Sequence, residues 1–408
     1  MSLPDIKQTL SGYNFKWSDE QISIIVSGLS FKHELKGEIR IKTSLPGYAE
    51  HLHQANFNFS STRAKTDLVK TLSKVCKEKN IDWDILIEQL RFKTLELFRQ
   101  GNPVVILSSN DVIKKLEYIL YPLIPKNHLS LIYGEGGTGK STLALFLSLL
   151  VATKDAVTNY GFTVNGDGSY NTLYLDYETE QDTIGLQFKH LCNGLGMKSP
   201  LFYRRCDLPL LQDLQNIKEI ISSINANLVI IDSVGIACGA DMNEAATANS
   251  FTLALRSLKT TNLLISHTSK DRTDRKTPFG SVYFFNNARN IFEVKKTQTE
   301  GDDFISLGLF HRNSNISKLH APIGLKFIYT DDSITVKHEN ISEVEGFEKE
   351  LSLKQRIKNL LFQEGALTIK EIAGQLNAGE QVVRNALNVM NKKGELVKQG
   401  DTYAMAYR

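Results

Sequence analysis

Residues 131–142, LIYGEGGTGKST, constrain the fold of this chain more than any other stretch. An apolar β-like run, HLSLIYG, leads into closely spaced glycines, and a helical run, STLALFLSLLVAT, follows. Glycine permits positive φ angles and close backbone approach, so successive N–H groups can surround phosphate oxygens, and the new helix points its N-terminus at the same anion. The spacing Gly-x-x-x-x-Gly-Lys-Ser, from Gly134 to Ser141, therefore predicts a phosphate-binding loop between a strand and a helix.

The loop residues are the first candidate ligands. Lys140 would reach the β- and γ-phosphates of a nucleoside triphosphate, and Ser141 would bind Mg²⁺, so ATP and Mg²⁺ are the expected cofactors. A glycine-rich turn without a ligand is the alternative, and the strand, the full spacing and the helix together weigh against it. The residues expected to bind the nucleotide are Gly134, Glu135, Gly136, Gly137, Thr138, Gly139, Lys140, Ser141 and Thr142.

The bulk composition is that of an ordinary globular protein. The 408 residues suffice for two or three domains, and the 41% hydrophobic and 23% charged content is typical of soluble chains. The start, MSLPDIKQTL, has no apolar signal core, and the longest apolar stretch, LALFLSLLVA, is too short to span a bilayer. The four cysteines show no Cys-x-x-Cys spacing, which fits a reducing cytosol. We therefore expect a cytoplasmic protein without a membrane partner.

The charge is distributed unevenly. The net charge is +3, yet residues 1–110 carry 15 Lys and Arg against 12 Asp and Glu, and residues 351–408 carry 9 against 5. Basic ends therefore flank a mildly acidic centre. Any nucleic-acid contact is expected to draw on the ends or on local loops, although a solvated surface explains the imbalance almost as well.

The chain is expected to fold as three units. Residues 1–107 combine strand-like runs with two amphipathic helical patterns, which predicts an α+β domain of unknown role. Residues 111–340 alternate β-like and helical runs, which predicts an α/β domain with a mainly parallel, buried sheet. From about residue 291, β-like runs follow one another without helices and predict antiparallel strands that extend this sheet.

The C-terminal segment shows a different pattern. Residues 341–350, ISEVEGFEKE, are polar and acidic and are interpreted as a linker. Residues 351–408 show three helical patterns, the second with a capping box at Thr368 and Glu371, and then a hairpin. This order resembles a winged helix-turn-helix, in which the third helix, Gln381 to Lys393, would enter the major groove. The alternative is that this fold only mediates protein contacts.

Two apolar strands end in carboxylates that would complete a catalytic site. NLVIID ends at Asp232, as expected for the strand that holds Mg²⁺ through a water. Ser233 follows it, so the base that activates water must come from elsewhere. Glu178 in NTLYLDYE lies just past a strand end and fits that role, with a helix N-terminal charge as the alternative. Asp176 is expected to support the structure or the magnesium shell.

Several motifs together carry a family resemblance. Between about residues 115 and 330, GEGGTGKST, LYLDYE, VIIDS, ISHTSK and GSVYFFNNARNIFEV resemble the RecA-like ATPases, and more narrowly the RepA-like group of hexameric helicases. The resemblance implies that His267 senses the nucleotide or couples it to DNA loops, a packed strand-end histidine being the alternative. It implies that Arg289 is an arginine finger given to a neighbouring subunit. Arg312 in FHRNSN matches a second basic station for the nucleotide, where the family more often has lysine. The basic loop Lys270–Ser281 would face a ring channel, or is merely solvated.

These features predict a hexameric, ATP-driven DNA motor. The expected role is that of a replicative helicase of a phage, plasmid or integrated element, with single-stranded DNA in the ring and duplex DNA at the winged helix. The alternatives are a non-unwinding RecA-like ATPase that acts in recombination or loading, and an ATP-switched regulator that binds an operator. In the tail, phosphate contacts are expected from Arg384, Lys392, Lys393 and Lys398.

Overall fold

The structure is a computed structural model that describes residues 2–101, 104–108, 115–153, 159–164, 170–268, 286–347 and 350–406. The chain divides into two compact units. The first unit comprises Met1–Lys115, Leu210–Ala226 and Ala254–Lys259, and the second comprises Leu116–Pro209, Asn227–Leu253 and Thr260–Arg408. In the described residues no helix combines the length and the apolar character that crossing a membrane requires.

The first unit contains an antiparallel meander and two helices. Its described strands pair in the order β1-β2-β3-β4-β5. Ser61 and Asp82 cap the two helices by accepting backbone N–H groups of the first turn, which satisfies donors that have no partner within the helix. A buried core that includes Phe15, Trp17 and Trp83 lies between sheet and helices. The elements are β1 (Asp5–Gln8), β2 (Gly12–Trp17), β3 (Ile22–Phe31), β4 (Leu35–Thr43), β5 (His51–Asn58), α1 (Thr62–Val75) and α2 (Trp83–Gln100).

Strands and helices then alternate along the chain, as predicted. The elements are β6 (Tyr118–Tyr121), β7 (Ile124–Pro125), β8 (Leu129–Gly134), α3 (Lys140–Ala152), β9 (Thr163–Val164), β10 (Thr172–Asp176), α4 (Gln181–Leu195), β11 (Phe202–Arg205), α5 (Leu210–Ile224), β12 (Leu228–Asp232), α6 (Val234–Ala237), α7 (Ala245–Ser257), β13 (Thr261–His267), β14 (Asn290–Thr297), β15 (Phe304–Ser314), β16 (Ile323–Tyr329) and β17 (Ile334–Glu339).

One large sheet organises the second unit. In the described residues it has nine strands in the order β11-β10-β12-β13-β8-β14-β15-β16-β17. The strands from β11 to β14 are parallel, and β15, β16 and β17 continue the sheet in antiparallel pairing. The predicted fold class, an α/β core with a mainly parallel sheet, is confirmed. Helix α3 is apolar all round because it is buried in the main core, where Leu143 through Val151 are all inaccessible to solvent.

The segment that was interpreted as a linker is packed against this sheet. Ile341, Val344 and Phe347 are buried, and they form an apolar cluster with Phe310 of β15 and with Leu351. The rings of Phe310 and Phe347 meet edge to face at 5.7 Å. The interpretation as a linker missed this packing because the acidic residues between these apolar ones dominate the composition and hide their three-residue spacing.

The tail follows the predicted order of three helices and a hairpin. A short strand joins the hairpin, so that the sheet order is β18-β20-β19. The predicted capping box is confirmed, since Thr368 accepts the N–H of Glu371 and Glu371 accepts the N–H of Thr368. The elements are α8 (Leu353–Glu364), β18 (Leu367–Thr368), α9 (Ile369–Gln375), α10 (Glu380–Lys392), β19 (Leu396–Gln399) and β20 (Thr402–Met405).

Candidate nucleotide-binding site

The predicted phosphate loop joins β8 to α3. Gly137 and Gly139 have φ angles of +71° and +81°, which side chains other than glycine rarely adopt. A Cβ on Gly134 would lie 2.5 Å from the carbonyl oxygen of Val294, so the neighbouring strand leaves room only for glycine there. The chain thus turns tightly up to Gly139 and becomes helical at Lys140, which places the N-terminus of a 13-residue helix over the loop.

The ammonium group of Lys140 lies inside this loop. Its Nζ donates to the carbonyl oxygens of Gly134 at 3.1 Å and Glu135 at 2.6 Å. The side chain is buried, which lowers the pKa of Lys140, while the carboxylates of Asp232 and Glu178 oppose that shift. The structure therefore brings together the loop lysine and both carboxylates that the sequence selected.

The strand order explains this convergence. Strand β13 lies between β8, which carries the loop, and β12, which ends at Asp232. In register, Asp176 stands opposite Asp232, and His267 stands opposite Gly134. Because these strands are parallel, their carboxyl ends meet at one edge of the sheet, where ligands bind in open α/β folds.

Asp232 is the buried carboxylate of the site. It is 3% exposed, it accepts the hydroxyl of Tyr174 at 2.5 Å, and it is hydrogen-bonded to Ser141. Burial raises the pKa of Asp232, and the bonds from Ser141 and Tyr174 oppose this. A hydroxyl and a carboxylate that already touch at a phosphate loop are the hard oxygen ligands that Mg²⁺ prefers. Ser141 and Asp232 therefore fit the predicted metal role.

Glu178 and His267 form the exposed side of the site. The Nε2 atom of His267 lies 3.3 Å from Oε1 of Glu178, and both side chains are 43% exposed. They come from the ends of β13 and β10, one strand on each side of Asp232. A carboxylate at this position, open to solvent and hydrogen-bonded to a histidine, can accept a proton from a water or hold that water in line.

Asp176 has a structural role in this arrangement. Its Oδ1 accepts the backbone N–H groups of Glu178 and Thr179 at 2.9 Å each, and its Oδ2 accepts the hydroxyl of Tyr203 at 3.0 Å. These bonds fix the turn that follows β10 and so set the position of Glu178. Sequence reasoning missed Tyr174 and Tyr203, since a tyrosine within an apolar strand gives no sign that its hydroxyl meets an aspartate.

Three predicted features remain to be placed: Thr142, Arg289 and the basic loop. Arg289 does not lie at the carboxyl edge of the sheet. Thr142 lies on α3 with its hydroxyl 3.3 Å from Oε1 of Gln187 on α4. Arg289 precedes β14, and its N–H donates to the carbonyl of Leu129, the first residue of β8, at 2.8 Å. The loop lies at the other end of β8, so about 16 Å of strand separates Arg289 from it. The basic loop Lys270–Ser281 lies outside the described residues.

Arg312 is held elsewhere, by two carboxylates of its own chain. Its Nε donates to Glu293 at 2.7 Å, its Nη2 bonds Glu350, and the guanidinium lies 5.0 Å from the ring centre of Phe310. Phe292 packs into the core with α3, so Glu293, the next residue on β14, faces the opposite side of the sheet. The structure thus places Arg312 in an ion-pair network on that face, and not among the phosphate ligands of its own loop. Sequence reasoning missed these partners because neither carboxylate is near Arg312 in sequence, and the nucleotide role of Arg312 stays a prediction.

A family comparison bears on the same region. Residues 93–273 match the model of an AAA domain family, AAA_25. The match includes the phosphate loop, Glu178, Asp232 and His267. This stretch of the chain is therefore similar to AAA_25 domains. The match ends before Arg289, and it does not include the C-terminal tail.

Two further comparisons concern curated proteins and solved structures. No curated protein matches the sequence. Among solved structures, the chain is similar to the KaiC-like protein PH0186 from Pyrococcus horikoshii OT3, with 15% sequence identity, a TM-score of 0.37, and coverage of 53% of this chain and 93% of that one.

Proposed function

We propose that this protein is an ATP-hydrolysing, ring-forming DNA motor, and that it acts as a replicative helicase of a phage, plasmid or integrated element. Hydrolysis is the part of the proposal with the firmest support, because loop, metal ligands and base converge at one sheet edge. Lys140 binds the phosphates, and Glu178 orients and deprotonates the attacking water. His267 holds Glu178 in place through the 3.3 Å contact.

Ser141 and Asp232 would hold Mg²⁺, which neutralises phosphate charge when it is bound. What the chain itself supplies there is a buried carboxylate kept in position by Tyr174. Because burial disfavours the ionised form of Asp232, a cation next to it relieves a cost that the fold otherwise bears.

Assembly is supported by one observation above all, the position of Arg289. This arginine lies at the sheet edge opposite the phosphate loop of its own chain, beside His128 at the start of β8. A guanidinium there can reach a phosphoryl group only in another subunit. A head-to-tail arrangement, in which the loop edge of one subunit meets the Arg289 edge of the next, closes into a ring or extends as a filament.

DNA as the partner is supported by charge. The tail carries 9 Lys and Arg against 5 Asp and Glu. A recombination or loading ATPase and an ATP-switched regulator share the same hydrolytic site, and they differ from a helicase in whether strands are separated.

Strand displacement on a forked DNA substrate tests the proposal. The expected result is ATP-dependent unwinding by an assembly that is seen as a closed ring with an ATP analogue and single-stranded DNA. Glu178→Gln protein is the control, since it should bind nucleotide without unwinding. ATP hydrolysis without strand displacement, or a filament in place of a ring, would overturn the helicase role in favour of a loading or recombination ATPase.

A further inference from the structure

The first unit contains an open cleft of its own. The volume of this cleft is about 580 Å³, which falls within the range of sites that hold small molecules. Its walls come from the turn between β1 and β2, from the last part of β3, from α5 and from the end of α7, and every lining residue belongs to the first unit. The cleft is therefore large enough for one molecule the size of a nucleotide.

The charges that line this cleft are all positive. Lys218 of α5 and Lys259, which follows α7, line it, whereas no Asp or Glu does so in the described part of the chain. The carboxylates of α5 are engaged elsewhere. Asp213 is buried and accepts a hydrogen bond from an asparagine one turn further on, and Glu219 lies 4.0 Å from Arg40. Among the described residues that line the cleft, the two ammonium groups therefore meet no counterion.

The ammonium group of Lys218 is in an unfavourable setting. Its side chain is half-buried, and this burial lowers the pKa of Lys218. The positive charge of Lys259 lowers the same pKa further. An anion bound beside Lys218 would oppose both effects, because it would accept hydrogen bonds in place of water and would offset the repulsion between the two lysines. The electrostatics of the cleft therefore favour a negatively charged ligand.

Lys259 has an unusual backbone conformation. Its φ angle is +51°, which lies in the left-handed region, two residues after α7 ends. Helices often end with a residue in this conformation, but glycine or asparagine usually occupies the position because other side chains are strained there. A lysine at this turn keeps a cation at the cleft against the local backbone preference. The negative end of the helix dipole also favours a cation there, so the two explanations need separate tests.

Hydroxyl groups add hydrogen-bond donors to the cleft. Thr9, Ser11 and Ser30 line it. The hydroxyl oxygen of Thr9 accepts the N–H of Gly12 at 3.1 Å and lies 3.3 Å from the hydroxyl oxygen of Ser11. Since only one of these two hydroxyls can donate to the other, at least one hydroxyl proton remains for a ligand oxygen. Ser30 follows a register shift in the pairing of β3 with β4, and such bulges re-aim side chains at binding sites.

A phosphate group fits this set of donors. It carries more charge than a carboxylate and presents three strong acceptor oxygens, which suits two ammonium groups and neighbouring hydroxyls. The cleft also has apolar walls, which include Tyr13, Leu29 and Leu214. A bare phosphate ion would leave these walls uncovered, whereas the sugar and base of a nucleotide would contact them.

We propose that this cleft binds a nucleotide through its phosphate group, with Lys218 and Lys259 on the phosphate and the apolar walls against the sugar or base. The nucleotide is either a free molecule or part of a single strand of DNA, and both sources present the same chemistry to the cleft. The site uses no residue of the phosphate loop or of the strand ends that carry Asp232 and Glu178. It therefore goes beyond the proposed motor and does not depend on it.

Calorimetric titration of the full chain tests the proposal, after ADP and Mg²⁺ have saturated the phosphate loop. Thymidine monophosphate is the probe, and we expect it to bind about 10-fold or more tightly than thymidine, which lacks the phosphate. Lys218→Met and Lys259→Asn should each weaken this binding by about 10- to 150-fold, the loss expected for a hydrogen bond to a charged group. The control is Lys70→Met, a change of an exposed lysine on α1 that should leave binding unchanged. Lys140→Ala protein should bind the probe as the parent does, because the phosphate loop is a different site.

Thermal unfolding without the probe separates ligand binding from a structural role. Lys218→Met removes a half-buried charge, and Lys259→Asn supplies a residue that tolerates a positive φ angle. Neither variant should therefore lower Tm. If both variants lowered Tm and left binding of the probe unchanged, the lysines would serve the fold and the proposal would be overturned.

A strand of about 12 thymidines without terminal phosphates identifies the source of the phosphate. Displacement of the probe by this strand, lost in Lys218→Met protein, would support a nucleotide within single-stranded DNA. Binding of the probe that the strand does not displace would support a free nucleotide. Equal binding of thymidine and its monophosphate, or no binding of either the probe or the strand, would overturn the proposal. Failure to hydrolyse ATP would instead count only against the motor.

Discussion

His267 and Glu178 meet at the carboxyl edge of the sheet, with Nε2 of the histidine 3.3 Å from Oε1 of the glutamate. They are 89 residues apart in sequence. His267 ends β13 and Glu178 lies just past the end of β10, and these strands do not touch because β12 runs between them. The buried carboxylate of Asp232 ends that middle strand. Glu178 and His267 therefore meet across the strand that carries Asp232, the proposed metal ligand. Variants of Glu178 and His267 can test which of the two acts on the attacking water.

Replacing Glu178 separates hydrolysis from binding. Glu178→Gln should retain ATP affinity and lose about 10²- to 10⁴-fold in turnover, because the amide keeps the shape of the side chain but cannot accept a proton. Lys140→Ala should weaken ATP binding itself, since the ammonium contacts phosphate in the ground state as well. Nucleotide titration and steady-state ATPase assays measure both effects. The control is Glu180→Gln, an exposed neighbour; if Glu178→Gln also hydrolyses ATP at the parent rate, the base has been assigned wrongly.

His267 is expected to act through Glu178. His267→Ala should lower turnover with little change in ATP affinity, because the glutamate loses the partner that orients it. If so, adding His267→Ala to Glu178→Gln should cost nothing further, and the double-mutant cycle should show strong coupling. Losses in turnover that multiply in the double variant would instead assign His267 an independent contact with the nucleotide.

Asp232 should destabilise the metal-free fold. Its pKa is raised by burial, so the ionised form of this carboxyl is the costly one. The neutral isostere Asp232→Asn should therefore abolish hydrolysis and yet raise Tm in the presence of a chelator, by about 2–4 °C for each kcal/mol relieved.

The pH dependence of this effect has a defined sign. For a carboxyl with a raised folded pKa, stability is lost as pH rises from the ordinary aspartate range through the folded value. The Tm advantage of Asp232→Asn should therefore be largest well above the folded pKa and should shrink as the pH falls through it, because the parent carboxyl then becomes protonated. Thermal unfolding of the parent and Asp232→Asn proteins over a series of pH values measures this difference in Tm. A difference that grows as the pH is lowered would contradict a raised pKa for Asp232.

Arg289 is expected to serve a neighbouring subunit. Arg289→Ala should leave nucleotide affinity intact and reduce turnover by about 10³- to 10⁵-fold in the assembly. Mixing it with Lys140→Ala protein should restore part of the activity, because one subunit then offers an intact pocket and the other an intact arginine. Lys126→Ala, a change at the same sheet edge, is the control and should hydrolyse ATP normally. Absence of rescue in demonstrated mixed oligomers would rule out a shared site.

Arg312 is expected to matter for stability. Arg312→Met would remove the guanidinium bonded to Glu293, which is 5% exposed and lies 3.8 Å from the Lys295 ammonium, and should cost about 2–3 kcal/mol in the free energy of unfolding. Adding Glu293→Gln should recover most of that loss, since the stranded charge is gone. Urea unfolding measures both. If Arg312→Met instead lowered ATP affinity without changing stability, the result would support the predicted nucleotide role of Arg312.

The parts of the site that could be predicted are those that follow strand ends. Gly134, Asp232 and Glu178 each come at the end of an apolar run, and parallel strands bring such ends to one edge. The partners that fix them could not be predicted, because Tyr174 and Asp232 meet only through the register of neighbouring strands.

The fold, like the site, has parts that could be predicted from the sequence and parts that could not. Alternating β-like and helical runs predicted the α/β core, because local pattern and tertiary structure agree there. The grouping of Leu210–Ala226 with the N-terminal unit could not be predicted, since nothing in that helix distinguishes it from the helices of the α/β core. The carboxylate partners of Arg312 were missed for a related reason: a basic residue near a strand end has the same sequence pattern whether it meets phosphate or carboxylate.

The burial of Ile341, Val344 and Phe347 against Phe310 bears on how this protein can change during evolution. If recombination exchanged the tail at residue 340, it would strip the cover from Phe310 in one product and leave three unmatched apolar side chains in the other. A cut at residue 350 would break the bonds of Glu350 to Arg312 and Lys295. A successful exchange therefore has to begin after Leu351 or to carry β15 with it, so residues 341–351 and the outer strands of the sheet are expected to be inherited together.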